Sequence, residues 1–308
     1  MTMKFNALLS VFLLSLTLLI TGCTPKGELL AQELQAAWSN QQEIHAHQMS
    51  GNAELQLDLA LSDAEQQPLT SAILQSLLHS KYEWEGASDA EAARFETEMT
   101  LTPADSDISI HLPILIEESM LYFHLPMINK ADEYMEIPLG EQFVNTAGQV
   151  QGIFASWLEG FSSIAEPAWL TESEADIPEQ RSIHITINEE RLPLFMNAAA
   201  DQWEQLIVQL TESGLDTTTL DNAAFGEYLR QAAFSEEGHL SFTLNENDYI
   251  QDVELYLPFL SDGNNQEQSN EQLISIHYTW DRINEEIKFN QSRPAQTKTL
   301  DTIYPLIH

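Results

Sequence analysis

The apolar patterning of this 308-residue chain predicts an α+β domain, with helices gathered on one side of a strongly curved antiparallel sheet. Segments that alternate apolar and polar residues follow one another across short turn-forming or charged connections, the pattern of an antiparallel meander with one buried face. Apolar stripes with three-to-four spacing interrupt these segments in blocks. The resulting order is helix, strands, helix, strand, helices, strands, which suits helices segregated to one side of a sheet.

From Glu28 to Ile44, the residues Leu30, Leu34, Ala37, Trp38 and Ile44 keep helical spacing, interrupted only by Gln41. The first element is therefore an amphipathic helix that docks on something downstream. Met49 to Leu61 alternates Ala53, Leu55, Leu57 and Leu59 with Glu54, Gln56 and Asp58, a half-buried strand. Leu69 to Leu78, after Pro68, reads as a short helix or as a loop crossing. Strands are expected at His79–Gly86, Arg94–Leu101, Ile108–Ile116, Met120–Leu125 and Tyr134–Leu139, with the clearest alternation at Phe95, Thr97, Met99 and Leu101. Within Gln142 to Leu170, a broad stripe of Ile153, Phe154, Trp157, Leu158, Phe161 and Ile164 predicts a helix packed against the sheet or closing over it.

After the acidic run Glu172–Glu179, Ser182–Asn188 reads as a strand with Ile183, Ile185 and Ile187 on one face. A long helix follows, carrying Leu192, Phe195, Met196, Ala199, Trp203 and Ile207 and ending near Gly214. A shorter one carries Phe225, Tyr228, Leu229 and Ala232. Strands return at His239–Asn245, Tyr249–Pro258, Leu273–Asp281 and Ile283–Asn290, and Asn245-Glu246-Asn247-Asp248 makes a hairpin turn. Ser261–Asn270 is a polar loop, and the chain after Arg293-Pro294 is expected to lie across the surface. Residues 28–308 read as a single domain in which 28–170 and 180–293 can form two sub-halves, without residue-level identity to mark a duplication.

The N-terminus carries the sharpest signal. Lys4 precedes the apolar run Ala7–Ile20, which is too short for an ordinary membrane-spanning helix of about twenty residues. Leu19-Ile20-Thr21-Gly22-Cys23 resembles the lipobox of bacterial lipoprotein precursors. The resemblance implies a signal peptide over 1–22, a diacylglycerol on Cys23 and a tether over 23–27 leading to the folded domain. Cys23 is the only cysteine, so its acylation leaves no thiol for catalysis, disulfide formation or thiolate metal binding.

Charge narrows the partners. Twelve basic residues stand against forty-eight acidic ones, a net charge of −36, which excludes nucleic acid, whose binding depends on basic side chains at phosphates. The same charge repels anionic membrane surfaces, so the lipid on Cys23 is the expected membrane contact. No protein partner is indicated.

Motifs for chemistry are absent. There is no Gly-x-Ser-x-Gly, His-Glu-x-x-His or phosphate-binding glycine loop, so no catalytic residue, metal or cofactor is expected and the chain reads as a non-enzyme. His45 and His47 share a face only if a strand starts at 45, and no third ligand is near in sequence. His111, His124, His184, His239 and His277 fall in expected strands. Asp262–Glu267 lacks the ligand placement of a calcium loop, and the adjacent acids Glu117-Glu118 and Glu285-Glu286 point to opposite faces of a strand. Large apolar side chains on the helices remain, either as ordinary core or as the wall of an apolar cavity; Phe154, Trp157, Phe161 and Trp203 are the candidate lining residues.

The architecture resembles the LolA/LppX-like lipoproteins and lipoprotein carriers, in particular the uncharacterised lipoproteins of Gram-positive bacteria. The passages that carry it are His47-Gln48-Met49-Ser50-Gly51-Asn52-Ala53-Glu54-Leu55, Glu118-Ser119-Met120-Leu121-Tyr122-Phe123-His124-Leu125-Pro126 and Glu133-Tyr134-Met135-Glu136-Ile137. The resemblance implies an unclosed β-barrel with helices on its concave side and an apolar cavity for acyl chains. The expected function is a lipoprotein anchored at the extracytoplasmic face of the cell membrane that binds a lipid or other apolar ligand. The alternative is an envelope interaction or maintenance module with a filled core.

Overall fold

The computed structural model describes residues 25–58, 75–104, 106–126, 129–139, 158–174, 180–212, 222–261 and 270–299. It is a mixed α+β protein built on one thirteen-stranded sheet that does not close on itself. The strands are β1 (Ala46–Gln56), β2 (His79–Asp89), β3 (Arg94–Pro103), β4 (Ile110–Glu117), β5 (Met120–Phe123), β6 (Glu133–Pro138), β7 (Leu170–Glu174), β8 (Arg181–Ile187), β9 (Ala233–Phe234), β10 (Gly238–Leu244), β11 (Ile250–Ser261), β12 (Asn270–Asp281) and β13 (Gln296–Thr299). Their spatial order is β13-β6-β5-β4-β3-β2-β1-β12-β11-β10-β8-β7, with β9 paired to β11. All pairings are antiparallel except β13 on β6. The helices are α1 (Lys26–Gln41), α2 (Leu192–Glu212) and α3 (Asn222–Arg230), with short helical segments at 75–78 and 158–163 and a 3-10 turn at Pro167–Trp169.

Period-two alternation is kept across strand after strand. Ile183, Phe242, Val253, Tyr278, Gly51, Trp84, Met99 and Leu112 are successive cross-strand partners from β8 to β4, so they stand in one row on one face. The adjacent row, on the opposite face, reads His184, Ser241, Glu254, His277, Asn52, Glu83, Thr100 and His111. One face is thus apolar and the other polar over eight strands.

The helices pack on the apolar face. Leu30, Leu34, Ala37 and Trp38 of α1 join one core with Phe195 and Met196 of α2, Leu229 of α3 and the inward residues of β8, β10 and β11. Trp38 meets the Phe242 ring edge-on at 5.9 Å, and Tyr228 meets Phe259 at 6.3 Å. Gln41, which interrupts the apolar stripe of α1, is itself buried and donates to the Ile250 carbonyl at 3.1 Å, fixing the end of the helix to the start of β11. Arg181 ties α1 to the β10–β11 turn through Glu33 (3.1 Å) and Asp248 (2.8 Å).

Most expected elements are present within two or three residues of their expected ends. Two depart further: the strand expected over Met49–Leu61 ends at Gln56, and Ile283–Asn290 forms a turn and extended chain instead of a strand. Arg282 and Asn284 take left-handed backbone (φ 51° and 58°), which breaks the ladder after β12 and sends the chain across the face opposite the helices. There Glu96 accepts the backbone N–H groups of Asn290 (2.6 Å) and Gln291 (3.0 Å). Arg94 pairs with Glu117 (2.8 Å) and Glu96 (3.5 Å), donates to the Gln291 carbonyl and stacks on Phe289. This crossing buries Leu115 and Tyr122 on what is otherwise the polar face, and it ends in β13, where Lys298 meets Glu133 at 2.6 Å and holds that carboxyl below its ordinary pKa. The strands β7, β9 and β13 carry no apolar alternation, and their pairing is set by the edges they meet.

Glu96 is almost fully buried, so its removal leaves two backbone N–H groups without their acceptor and Arg94 with Glu117 as its remaining carboxylate partner. Glu96→Ala is expected to cost about 3 kcal/mol in urea unfolding and to expose the segment around residue 290 to protease in the native state. An unchanged midpoint and cleavage rate would show that the crossing is held otherwise.

Candidate functional site

The apolar face is unevenly covered, and this is the feature of the structure best suited to bind something. Along the row named above, Ile183, Phe242 and Val253 are at most 1 % exposed and Tyr278 is 8 % exposed, whereas Trp84, Met99 and Leu112 are only half-buried. Tyr82, Ile114 and Phe123 on the same face are half-buried as well. Along this row burial is lower on β2–β5 than on β8, β10 and β11, while Ser88, Thr97, Leu101, Ile116 and, on β6, Met135 of the same face are buried.

At the transition stands an aromatic and thioether cluster. Tyr278 donates its hydroxyl to Met49 Sδ at 3.1 Å and packs against Trp280 at 4.2 Å and Trp84 at 6.0 Å. Trp84 lies on Gly51, where a Cβ would collide with its ring and with the His277 carbonyl oxygen. Burial raises the Tyr278 phenol well above its ordinary pKa, so it stays neutral and a hydrogen-bond donor. These groups can accept apolar chains by contact and offer no acid, base or nucleophile.

One polar pair sits in this face. His47 and Ser88 are cross-strand partners on β1 and β2, nearly fully buried, and neither His47 ring nitrogen nor the Ser88 hydroxyl has a hydrogen-bond partner. Burial lowers the His47 pKa to about 4, so the ring is neutral at neutral pH. His45 lies at the chain end preceding β1 and is exposed, so the two histidines do not form a shared ligand pair.

Of the expected lining residues, Phe161 is 2 % exposed and belongs to the filled core. Trp203 on α2 is half-buried, stacks on Phe225 at 4.7 Å, and its indole N–H has no partner. The turn at 158–163 meets α2 at Gly160, where a Cβ would strike the Gln202 side chain, so Phe161 and Trp203 lie on adjoining segments. Phe154, Trp157 and Cys23, with the signal segment 1–22, lie outside the described residues. The half-buried residues Trp84, Met99 and Leu112 are apolar members of alternating strands, a pattern that in sequence is indistinguishable from core.

Three histidines gather on the polar face. His184 hydrogen-bonds Ser241 (2.9 Å) and stacks on His239, while His239 and His277 approach Glu254 and Asp252 at 3.5 and 3.4 Å. Burial and the neighbouring His239 lower the His184 pKa. Among the described residues no group of three or more His, Cys, Asp or Glu side chains could hold a metal ion, and no helix is long and apolar enough to cross a membrane. The acids that adjoin in sequence go separate ways: Glu117 binds Arg94 and Glu118 binds Arg293. No protein-family model and no curated protein matches the chain.

Two predictions test this region. Between its unfolded pKa of about 6.5 and its folded pKa of about 4, His47 is protonated only in the unfolded chain, so its contribution to stability is complete above pH 6.5 and is lost as the pH falls toward 4. His47→Phe should remove about 2 kcal/mol of the stability difference between roughly pH 7.5 and pH 5, read as the gap between the two proteins' urea midpoints; parallel pH profiles would contradict a buried, unpartnered ring. Gly51→Ala should lower thermal stability by several degrees, about 2 kcal/mol, because neither the β12 backbone nor the Trp84 ring can give way cheaply; an unchanged Tm would mean the ring swings aside.

Proposed function

We propose that this chain is a non-enzymatic lipoprotein of LolA/LppX-like architecture, held at the extracytoplasmic face of the cell membrane by a diacylglycerol on Cys23, whose incompletely covered sheet face takes acyl chains or another apolar ligand. The fading burial of the apolar row from Val253 to Leu112 is the observation that carries this reading. A run of apolar side chains left only partly buried is compatible with a surface that meets another apolar body. In this proposal the sheet is an unclosed barrel, the helices sit on its concave side, and the ligand lies over β2–β5.

The placement within the face matters. Ile185, Leu240, Phe242 and Phe259 are fully buried, so the volume between the helices and β8–β11 is filled by side chains and has no room for a chain of methylenes. That filled half favours the second reading, an interaction or maintenance module that uses the face for a protein. The two differ in what comes away with the molecule.

Mass spectrometry of the protein taken from membranes should find diacylglycerol on Cys23 and non-covalent lipid in the organic extract. Cys23→Ala should release the protein from the membrane with its fold intact. Met99→Asp should reduce the extracted lipid at least about fivefold, since a carboxylate opposes chain burial by several kcal/mol, while its circular dichroism stays that of the parent. Recovery of a cross-linked protein with no lipid would move the reading to the interaction module.

A further inference from the structure

At one end of the sheet, away from the half-buried strands β2–β5, the β10–β11 hairpin and the turn after β12 enclose an open cleft of about 430 Å³. Its lining is of a different kind from the apolar face. Gln180, Asn247, Gln251 and Tyr249 line it, Ile283 supplies apolar surface, and Trp280 backs it from the core, only 2 % exposed. Its volume falls within the range of small-molecule sites.

The walls are fixed before any ligand arrives. In the first turn, Asn245 Oδ1 accepts the backbone N–H groups of Asn247 (3.0 Å) and Tyr249 (3.1 Å), Asp248 takes left-handed backbone (φ 58°), and Asn40 of α1 donates to the Asp248 carbonyl at 3.1 Å. In the second, Asn284 donates its backbone N–H to the Ala46 carbonyl (2.7 Å) and accepts the His45 N–H (2.9 Å). Both turns are thereby tied to the α1–β1 connection, and a site held this way spends little of its binding energy on ordering itself.

Chemistry selects the ligand class. Gln180 Nε2 donates to Gln251 Oε1 at 2.9 Å, an arrangement that directs one amide's remaining carbonyl lone pairs and the other's remaining N–H groups elsewhere, an acceptor and donors side by side. Hydroxyl groups, which donate and accept at once, match such a lining. The cleft's arginine, Arg282, is already engaged by Glu285 (3.2 Å) and the Glu286 carbonyl (2.8 Å), and Glu246 and Glu285 add negative charge, so phosphates and carboxylates are not matched. An acyl chain would leave the amides desolvated and unpaired.

We propose that this cleft binds a neutral saccharide, with Gln180, Gln251 and Tyr249 hydrogen-bonding its hydroxyls and Ile283 facing its C–H surface. The proposal does not depend on lipid binding at the sheet face. The full chain, solubilised in a zwitterionic detergent without a sugar headgroup, is titrated with neutral trisaccharides of glucose and of N-acetylglucosamine and followed by saturation-transfer NMR and calorimetry. Saturable binding is expected, insensitive to salt between roughly 50 and 500 mM, and weakened about tenfold by the pair Gln180→Leu and Gln251→Leu. Tyr249→Phe, which removes a single hydroxyl and its 3.5 Å contact from the Asn284 amide, should weaken it severalfold. Absence of transfer from both sugars at about 10 mM, transfer equal in parent and variants, or binding of calcium ion alone would overturn the proposal.

Discussion

The pairing of β1 with β12 is the constraint on which the rest of the structure depends. Nine residue pairs, from Gln48 opposite Asp281 to Gln56 opposite Leu273, join the first strand of the chain to one more than two hundred residues later. Without it, β1–β6 and β7–β12 would be two separate sheets with two more open edges, each a site for unwanted pairing. The register is specified by side chains on the apolar face: Met49 opposite Trp280 and Gly51 opposite Tyr278 give the ring and sulfur contacts that a one-residue slip would turn to solvent. Gly51 lets the Trp84 ring close over the strand, so the same position serves the β1–β2 and β1–β12 seams. A contact of such sequence separation forms late and carries a large loop-closure cost, which is why so much apolar area is concentrated at it.

The sequence revealed the strands because a half-buried sheet must alternate, and it revealed the hairpin at Asn245–Asp248 because that turn needs residues tolerant of left-handed backbone. It did not reveal β7, β9 or β13. Thr171, Glu172 and Ser173, or Gln296 to Thr299, bear no apolar period, since these strands add to an existing edge by backbone hydrogen bonding and bury little. The turn at Arg282–Asn284 was hidden for the opposite reason: Ile283 and Ile287 mimic strand alternation, while the left-handed backbone at 282 and 284 is selected by hydrogen bonds to Ala46 and His45 from far along the chain. The amide cleft was equally hidden, because Gln180, Tyr249 and Trp280 come together only through the order β12-β11-β10-β8.

The buried histidine shows how strand register decides the environment of a polar residue. His45 and His47 would share a face had a strand begun at 45; with β1 beginning at Ala46, His45 is exposed and His47 is buried. Burial then makes the ring a neutral group with no partner, opposite a serine in the same condition. Such a pair costs stability that an apolar pair would not. It lies in the same face as Met49 and Trp280, the cluster where coverage by the helices ends.

Dimensions explain why coverage ends there. Twelve strands at about 4.8 Å spacing make a sheet about 50 Å across, whereas an α-helix with its side chains covers about 10 Å. Among the described residues, the helices α1, α2 and α3, even side by side, span little more than half of that width, and they pack toward β7, β9 and β11. A chain that required only a stable core could place charged residues on the uncovered strands, as it does throughout the opposite face with Glu83, Glu85, Glu96 and Glu98. Keeping Tyr82, Trp84, Met99, Leu112 and Ile114 apolar and half-buried, in a protein with forty-eight acidic residues available, makes solubility worse at the one surface where charge would be easiest to add. On the reading proposed above, a ligand covering that face is the physical return for it, and an acyl chain needs contact area of this kind and no directed hydrogen bonds.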